Sequence, residues 1–370
     1  MKSTKRFAAV IAAVAMTAAG GALATATTAN ASPTPSHTFI GPLQHTRVIA
    51  STVPANGDVN PYGVAVVPRS VGDLHRGDVL VSNFNDKANV QGTGTTIVQV
   101  SPRGKATLFA QVADKACPGG VGLTTALVTL RSGWVIVGSL PTANGAISGP
   151  GCLIALDPQG HVRATITGHG IDGPWDMTAL DRGRVTELFV TNVLGGILGN
   201  HKSADGGTVQ RLVITSSPYQ APRVLSSTTI GSGLPARTDP NALVIGPTGV
   251  GLSRNGTLYV ADTLSNRIAA IPGATFRHSD DGAGRTVSKG GALNGELGLA
   301  IAPNGDILTV NGGDGNMVET TPRGTQAAVR TIDNNSGGAG NLFGLAVKPG
   351  ADAVYFVDDF STQNNLQLLF

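Results

Sequence analysis

The fold of this 370-residue chain is decided by a stretch that reads GPTGVGLSRNGTLYVADTLSNRIAAI, residues 246–271. It contains a small-residue apolar strand, an Asn-Gly turn, a second apolar strand ending on Asp262, and a third strand. The same order recurs five more times, in copies that begin near residues 60, 122, 173, 296 and 341. Repeats made only of short strands predict an all-β fold, a six-bladed β-propeller of four-stranded blades.

The two ends of the repeat region predict how the ring closes. The last repeat has only three strands before the chain stops at Phe370, whereas an unpaired strand, Thr46–Ser51, precedes the first repeat. We expect this N-terminal strand to be the fourth strand of the last blade, because that pairing removes an exposed sheet edge. A frayed N-terminal strand is the alternative. Residues 45–370 are then a single propeller domain.

The first 31 residues have the pattern of a secretory signal peptide. Lys2, Lys5 and Arg6 precede an apolar stretch, and Ala29-Asn30-Ala31 supplies a small-x-small cleavage site. We expect cleavage after Ala31, a flexible lead-in over residues 32–44, and a secreted or periplasmic (cell-envelope) protein without a membrane span. An uncleaved N-terminal anchor is the alternative.

Charge gives no support for a nucleic-acid partner. The chain has 26 Lys and Arg against 23 Asp and Glu, and three of those cations lie in the leader, which has no carboxylate. The remaining chain is therefore neutral, and it contains no Lys/Arg block of the kind that binds nucleic acid. Charged residues make up 13% and glycines number 51, which suits tight turns and packed sheets.

Long connections are predicted to crowd one face of the ring. Three consecutive blades have a long loop between their second and third strands, and one blade-to-blade loop is also long: Asn83–Gly94, Leu140–Gly151, Val193–Gly207 and Gly231–Gly246. Loops on a rigid scaffold often carry binding sites, so we expect a monomer that binds a protein or a small polar ligand on this loop-rich face. Neutral surface decoration is the alternative.

The two cysteines are expected to form a disulfide. Cys117 lies in the loop before the second blade, and Cys152 begins the third strand of that blade, so both reach the same face. In an exported protein such a pair is expected to be oxidised. Two free thiols are the alternative.

Polar residues end the second strands at equivalent positions around the axis. The candidate binding residues are Asn83, Asn192, Asp262, Asn311 and Asp358. They form a predicted ring at the mouth of the channel, which binds a cation or a polar ligand in the functional interpretation. In the alternative interpretation their short side chains bond to nearby turn backbone.

Residues 255–263 followed by Asn266-Arg267-Ile268 resemble an NHL repeat, and the likeness extends more weakly over residues 60–370. The second and third copies depart from it at Thr125 and Thr178. The chain is also distantly similar to gluconolactonase/regucalcin-like propellers, which hold a divalent metal with a Glu, an Asn and an Asp. That resemblance implies a metal site at Glu296 and Asp262, with a divalent cation such as Ca²⁺.

These observations favour an exported NHL-like propeller that acts as a ligand- or protein-binding module through its loop-rich face. The alternative is a metal-dependent lactonase or other hydrolase, or a lyase, with its site at the channel mouth. A structural cell-envelope protein is a third hypothesis. The repeat specifies the fold and leaves the activity open, because one fold carries many functions.

Overall fold

The computed structural model describes residues 38–193, 204–239, 242–360 and 363–370. The predicted signal peptide and most of the predicted loop Val193–Gly207 lie outside these residues. Three short 3-10 helices occur in the described part of the chain, at Asp114–Ala116, Thr263–Ser265 and Asn335–Gly338. Within that part, no helix has the length and apolar character that crossing a bilayer requires.

The strands follow the repeats seen in the sequence. The N-terminal strand and the strands of blades one and two are β1 (Thr46–Ser51), β2 (Val59–Val66), β3 (Val79–Asn85), β4 (Gln91–Val100), β5 (Ala106–Gln111), β6 (Leu127–Thr129), β7 (Val135–Ser139), β8 (Thr142–Ala143), β9 (Ala146–Ile147), β10 (Cys152–Leu156) and β11 (Val162–Ile166). Blades three and four contain β12 (Pro174–Asp181), β13 (Val185–Asn192), β14 (Ala204–Ser217), β15 (Gln220–Asp239), β16 (Leu243–Ile245), β17 (Pro247–Leu252), β18 (Leu258–Asp262), β19 (Arg267–Ile271) and β20 (Arg285–Lys289). Blades five and six contain β21 (Glu296–Ile301), β22 (Ile307–Asn311), β23 (Asn316–Thr320), β24 (Gln326–Thr331), β25 (Leu342–Val347), β26 (Val354–Asp358) and β27 (Asn365–Leu369).

The ring closes as the sequence predicts. Blade six has the sheet order β1-β27-β26-β25, so the N-terminal strand is its outermost strand. β1 runs antiparallel to β27, with Thr46 opposite Leu369 and Ser51 opposite Asn365. The six-bladed propeller fold is confirmed, and the pairing of the first strand with the last covers the edge that β27 would otherwise expose.

The crowded face differs from the prediction because several of its connections are paired strands. β15 runs through much of the predicted loop Gly231–Gly246 and pairs with β16, which gives blade three five strands where four were predicted. β3 and β4 extend into the predicted loop Asn83–Gly94, and the hairpin β8–β9 occupies part of Leu140–Gly151. Pairing satisfies backbone groups that an open loop would leave to solvent.

The inner strands approach one another closely around the axis. In four blades the same inner-strand position is a glycine that faces the next blade: Gly63, Gly249, Gly298 and Gly344. A Cβ at any of them would overlap a backbone carbonyl oxygen of that blade, and for Gly344 the oxygen belongs to Tyr62. Only a residue without a side chain therefore fits at these positions near the axis. Blade three has Asp176 at this position, and its Oδ2 accepts the Val250 N–H at 3.1 Å.

The end of the expected lead-in is packed against the propeller. The backbone N–H groups of Phe39 and Ile40 donate to the two carboxylate oxygens of Glu319 at 2.6 and 2.8 Å. Both side chains are buried, and they contact a cluster that includes Met317 and Leu342. Residues 39–43 therefore belong with the propeller, unlike the flexible segment expected over residues 32–44, because apolar side chains there find a cluster to join.

The predicted disulfide is present. Cys117 and Cys152 are bonded, with their Cα atoms 5.9 Å apart. Both cysteines are buried in the apolar cluster between blades one and two. The bond joins the connection before blade two to the start of β10.

Candidate functional site at the mouth of the channel

A cavity of about 400 Å³ opens at the end of the channel where the inner strands begin. Five inner strands each contribute one lining residue from an equivalent position, namely Tyr62, Trp175, Thr248, Leu297 and Phe343. Phe84 and Gln91 add one wall, and the segment 242–245 at and before β16 adds another. The paired strands β3, β4 and β16 on the crowded face thus form walls of the cavity.

Aromatic side chains from three blades meet on one side of this cavity. The ring centroid of Tyr62 lies 5.1 Å from that of Phe343, 5.8 Å from that of Trp175 and 5.9 Å from that of Phe84. The Trp175 indole N–H donates to the Tyr62 hydroxyl at 2.7 Å, which fixes the two rings edge to face. We call Tyr62, Phe84, Trp175 and Phe343 the aromatic group. It forms an apolar wall of the cavity, in which Tyr62, Phe84 and Trp175 are almost fully buried and Phe343 is partly exposed.

The opposite side is polar and narrow, and it comes from blades four and five. The Thr248 and Thr263 hydroxyls lie 2.8 Å apart, and Thr263 donates to the backbone carbonyl of Glu296 at 2.8 Å. Gly295, Gly312 and Gly313 complete this side and bring the backbone close to the cavity. The cavity therefore has an aromatic side and a hydroxyl- and backbone-lined side.

Among the described residues that line the cavity, Asp359 alone carries a charge. Burial, together with the nearby Asp358 and Asp333 carboxylates, raises its pKa to about 7. Asp358 accepts hydrogen bonds from the Phe360 N–H and the Gln367 amide, both at 2.9 Å. Asp333 accepts from Asn335 and Asn341. Two fixed carboxylates thus lie near a third that faces the cavity.

The structure places the five predicted ring residues at equivalent positions, each opposite a residue near the start of an inner strand. The pairs are Asn83–Pro61, Asn192–Pro174, Asp262–Pro247, Asn311–Glu296 and Asp358–Leu342. All five side chains are buried. The residues that line the mouth cavity are others, so the ring lies beside the cavity rather than in its wall.

The hydrogen bonds of the ring hold turns. Asn83 donates to the Thr52 carbonyl at 2.8 Å, and Asn311 donates to the Ala292 carbonyl at 2.7 Å. The side-chain oxygen Oδ1 of Asn192 accepts hydrogen bonds from two backbone N–H groups of the turn before β12, both at 3.2 Å. These bonds match the alternative interpretation, in which Asn and Asp side chains cap nearby backbone. Ligand binding by the ring stays a prediction.

Asp262 and Glu296 are both fully buried, and their environments differ. Asp262 Oδ2 accepts from the Arg267 guanidinium at 2.8 Å. Neither Glu296 carboxylate oxygen has a hydrogen-bond partner of good geometry among the described residues. Burial raises the pKa of Glu296 to about 8; the neighbouring Asp262 carboxylate adds to the rise, while nearby backbone amides and Arg267 oppose it. Glu296 is therefore protonated at neutral pH.

These residues fit a divalent cation poorly. The unpartnered oxygens of Glu296, Asp262 and Asn311 are of the kind Ca²⁺ prefers, but Ca²⁺ takes six to eight such ligands. Arg267 already supplies a positive charge at Asp262. In the described part of the chain, no group of three or more His, Cys, Asp or Glu side chains is arranged to hold a metal. The Asp262/Glu296 site stays a prediction that this arrangement disfavours, and we derive no chemical step through a metal.

The aromatic group was not predicted from the sequence, although a signal was present. Tyr62, Trp175 and Phe343 occupy the same position in three of the repeats, directly after the residue that lies opposite a ring residue. The chain has only 10 Phe, 2 Trp and 4 Tyr, so three aromatics in one repeat position are a concentration. Phe84 has no such signal, because its place beside Tyr62 depends on the extension of β3.

The chain is thus a six-bladed β-propeller with a cavity of about 400 Å³ at one end of its channel. Solved structures show the same fold. The PQQ-bound aldose sugar dehydrogenase of Streptomyces coelicolor is 15% identical, with a TM-score of 0.55 over 88% of this chain and 98% of that one. A gluconolactonase of Xanthomonas campestris is 13% identical, with a TM-score of 0.54 over 89% and 90%.

A calcium-binding protein of Agrobacterium tumefaciens, a regucalcin, is 12% identical, with a TM-score of 0.50 over 86% of this chain and 92% of that one. At these identities the likeness shows the fold alone. No protein-family model matches the chain, and no curated protein matches it. The resemblance to NHL repeats therefore rests on the sequence pattern of residues 255–268.

Proposed function

We propose that this protein binds a small organic molecule in the mouth cavity. The observation that carries the proposal is the aromatic group, which places four of the chain's few aromatic side chains around one cavity of about 400 Å³. Ligand sites are typically concave and mainly apolar, with a few placed polar groups, and Thr248, Thr263 and Asp359 are such groups here. In this proposal the crowded face binds a small ligand.

A cavity-filling variant tests the proposal. Leu297→Trp narrows the cavity with a residue type that blade three carries at the equivalent position, Trp175, so the backbone there accommodates an aromatic. Leu225→Trp, on the exposed outer strand β15, adds the same side chain away from the cavity. Saturation-transfer NMR with a mixture of neutral, cationic and anionic fragments should give hits that Leu297→Trp loses and Leu225→Trp keeps. Equal hits for the two variants would remove the mouth cavity as the site.

A catalytic use of the same cavity is the second candidate, and Asp359 is the observation that favours it. A carboxyl group with a pKa of about 7 can accept or donate a proton near neutral pH, as a general base or acid must. Similar folds include proteins named as a gluconolactonase and a sugar dehydrogenase, which supports testing lactone hydrolysis first. Turnover of a lactone panel should then fall at least tenfold in Asp359→Asn. Activity that persists unchanged in this variant would exclude Asp359 as the proton-transfer group.

Export belongs to the proposal as well. The sequence of residues 1–31 and the Cys117–Cys152 disulfide both suit a protein that leaves the cytoplasm. Expression with the full leader followed by mass spectrometry of the extracellular or periplasmic fraction should give an N-terminus at Ser32. Light scattering should give the mass of a monomer. A full-length, cell-associated product would contradict export.

A further inference from the structure

We propose that the ligand of the mouth cavity is an organic cation, whose ammonium group lies beside Asp359 and whose apolar part packs on the aromatic group. This inference rests on the proposed function, since it names the chemical class that the same cavity selects. Two features of the cavity, its charge and its ring faces, lead to the same ligand class.

The first feature is the negative charge at one end of the cavity. Asp359 follows β26 directly, and the charged groups that act on it are Asp358 at the end of β26 and Asp333 in the loop after β24. The carboxylates of Asp358 and Asp333 are held in place by amide donors. Their field is therefore fixed, and a cation at Asp359 would be attracted by all three groups.

The second feature is the aromatic group itself. The face of an aromatic ring carries negative potential, which attracts the apolar groups attached to an ammonium nitrogen because they share its positive charge. Phe343 and Tyr62 line the same cavity as Asp359. The hydrogen bond from Trp175 to Tyr62 holds these two rings in a set orientation. Rings fixed before binding lose little freedom when a ligand arrives.

The size of the cavity limits the ligand to a small molecule. A cavity of about 400 Å³ lies at the lower end of the range for small-molecule sites. An amine or quaternary ammonium with a short apolar or ring substituent fits this volume. The Thr248 and Thr263 hydroxyls on the opposite side donate to backbone carbonyls, so they can accept a hydrogen bond from a hydroxyl of that substituent.

The state of Asp359 gives the inference a measurable consequence. With its pKa near 7, the empty site holds a proton over the mildly acidic range, and a bound cation must displace that proton. Affinity for a permanent cation should therefore rise with pH up to about 7 and level off above it. A neutral molecule of the same shape displaces no proton, so its affinity should not follow this titration.

The experiment uses choline and its neutral isostere, in which a tert-butyl group replaces the trimethylammonium group. Isothermal titration calorimetry at pH 6 and pH 8 on the mature protein gives Kd for both probes. We expect choline to bind about tenfold more tightly at pH 8 than at pH 6, the ratio of ionised Asp359 at the two values. We expect the isostere to bind at least tenfold more weakly than choline at pH 8, without that pH dependence.

Asp359→Asn should remove both the preference for choline and its pH dependence. Asp352→Asn is the matched control, because it removes an exposed carboxylate from the opposite end of the same blade. If choline and the isostere bind equally, and Leu297→Trp abolishes both, the cavity binds ligands and the cation inference fails. If fragments bind in the cavity while choline does not, the inference fails too. If Leu297→Trp leaves every ligand bound, the proposed function itself fails.

Discussion

Two neighbouring positions on each inner strand have different roles. The residue of each inner strand that lies opposite a ring residue is buried against a neighbouring blade; Pro174, for example, lies against Gly138 and Gly151 of blade two. The next residue along the strand lines the mouth cavity, as Trp175 does. Successive side chains of a strand point to opposite sides, so one step along the chain changes a packing position into a ligand-facing one.

This difference explains why the polar ring and the aromatic group have different environments. The ring residues lie opposite the packing position, so they share its burial and bond to turn backbone. The aromatic residues lie one step further on and line the cavity. Glu296 is the exception among the buried positions opposite the ring. Blade five has this carboxyl group where other blades have Pro61, Pro174, Pro247 or Leu342. We call the buried positions with the polar ring the packing layer and the cavity-lining positions the aromatic layer, and substitutions in each test whether the two layers are separate.

The largest effect should come from the carboxyl group in the packing layer. Glu296 keeps its proton in the folded state up to about pH 8, against an ordinary pKa of 4.5. Stability from this group is therefore full below pH 4.5 and is lost as the pH rises toward 8. In urea titrations, this group should lower the free energy of unfolding of the wild type by on the order of 3 kcal/mol between pH 5 and pH 9. Glu296→Gln should not show this part of the decrease.

Other groups with a raised pKa, such as Asp176 and Asp359, contribute a similar loss to both proteins. The comparison of variant and wild type therefore isolates Glu296. An identical pH dependence in the two proteins would mean that Glu296 is charged in the folded state.

A smaller effect is expected from the polar ring. Asn192→Ala leaves two backbone N–H groups of the turn before β12 without their acceptor, which should cost about 2 kcal/mol. Below the melting transition, choline affinity should stay within twofold of wild type, because Asn192 is not among the lining residues. A loss of affinity at unchanged stability would show that the ring contacts the ligand and that the two layers are not separate.

The aromatic layer should show the reverse pattern. Trp175→Phe removes the indole donor to Tyr62 and should cost about 1 kcal/mol while weakening choline severalfold. Trp134→Phe is the matched control, because it removes a buried indole N–H bond of 2.8 Å to the Ser217 carbonyl, away from the cavity. Equal choline affinity in the two variants would exclude Trp175 from the site.

The smallest effect is expected from metal ions. Because Arg267 supplies a positive charge at Asp262 and Glu296 holds a proton, added Ca²⁺, Mg²⁺, Mn²⁺ or Zn²⁺ should leave the melting temperature unchanged. Differential scanning fluorimetry measures this directly. A rise in Tm with Ca²⁺ that Glu296→Gln abolishes would instead establish the cation site that the family resemblance implies.

The repeat in the sequence was enough to predict the six blades, the closure by Thr46–Ser51 and the disulfide of Cys117 with Cys152. These features depend on the period of apolar strands, on an unpaired strand before the first repeat and a missing strand in the last, and on two cysteines that fall in one blade. Each of these features is either local in the sequence or follows from counting strands, so the sequence is sufficient to predict it.

The chemistry of the mouth was decided by the tertiary structure. Which of two adjacent residues faces the channel depends on strand register, and register is fixed only when strands pair. Phe84 reaches Tyr62 because β3 extends beyond its predicted end, and Asp359 meets Phe343 at the cavity because β25 pairs with β26 so that Leu342 lies opposite Asp358. The pKa of Glu296 likewise depends on burial between blades. The repeats along the chain are therefore sufficient to predict the ring of blades, whereas packing and register set which side chains line the cavity.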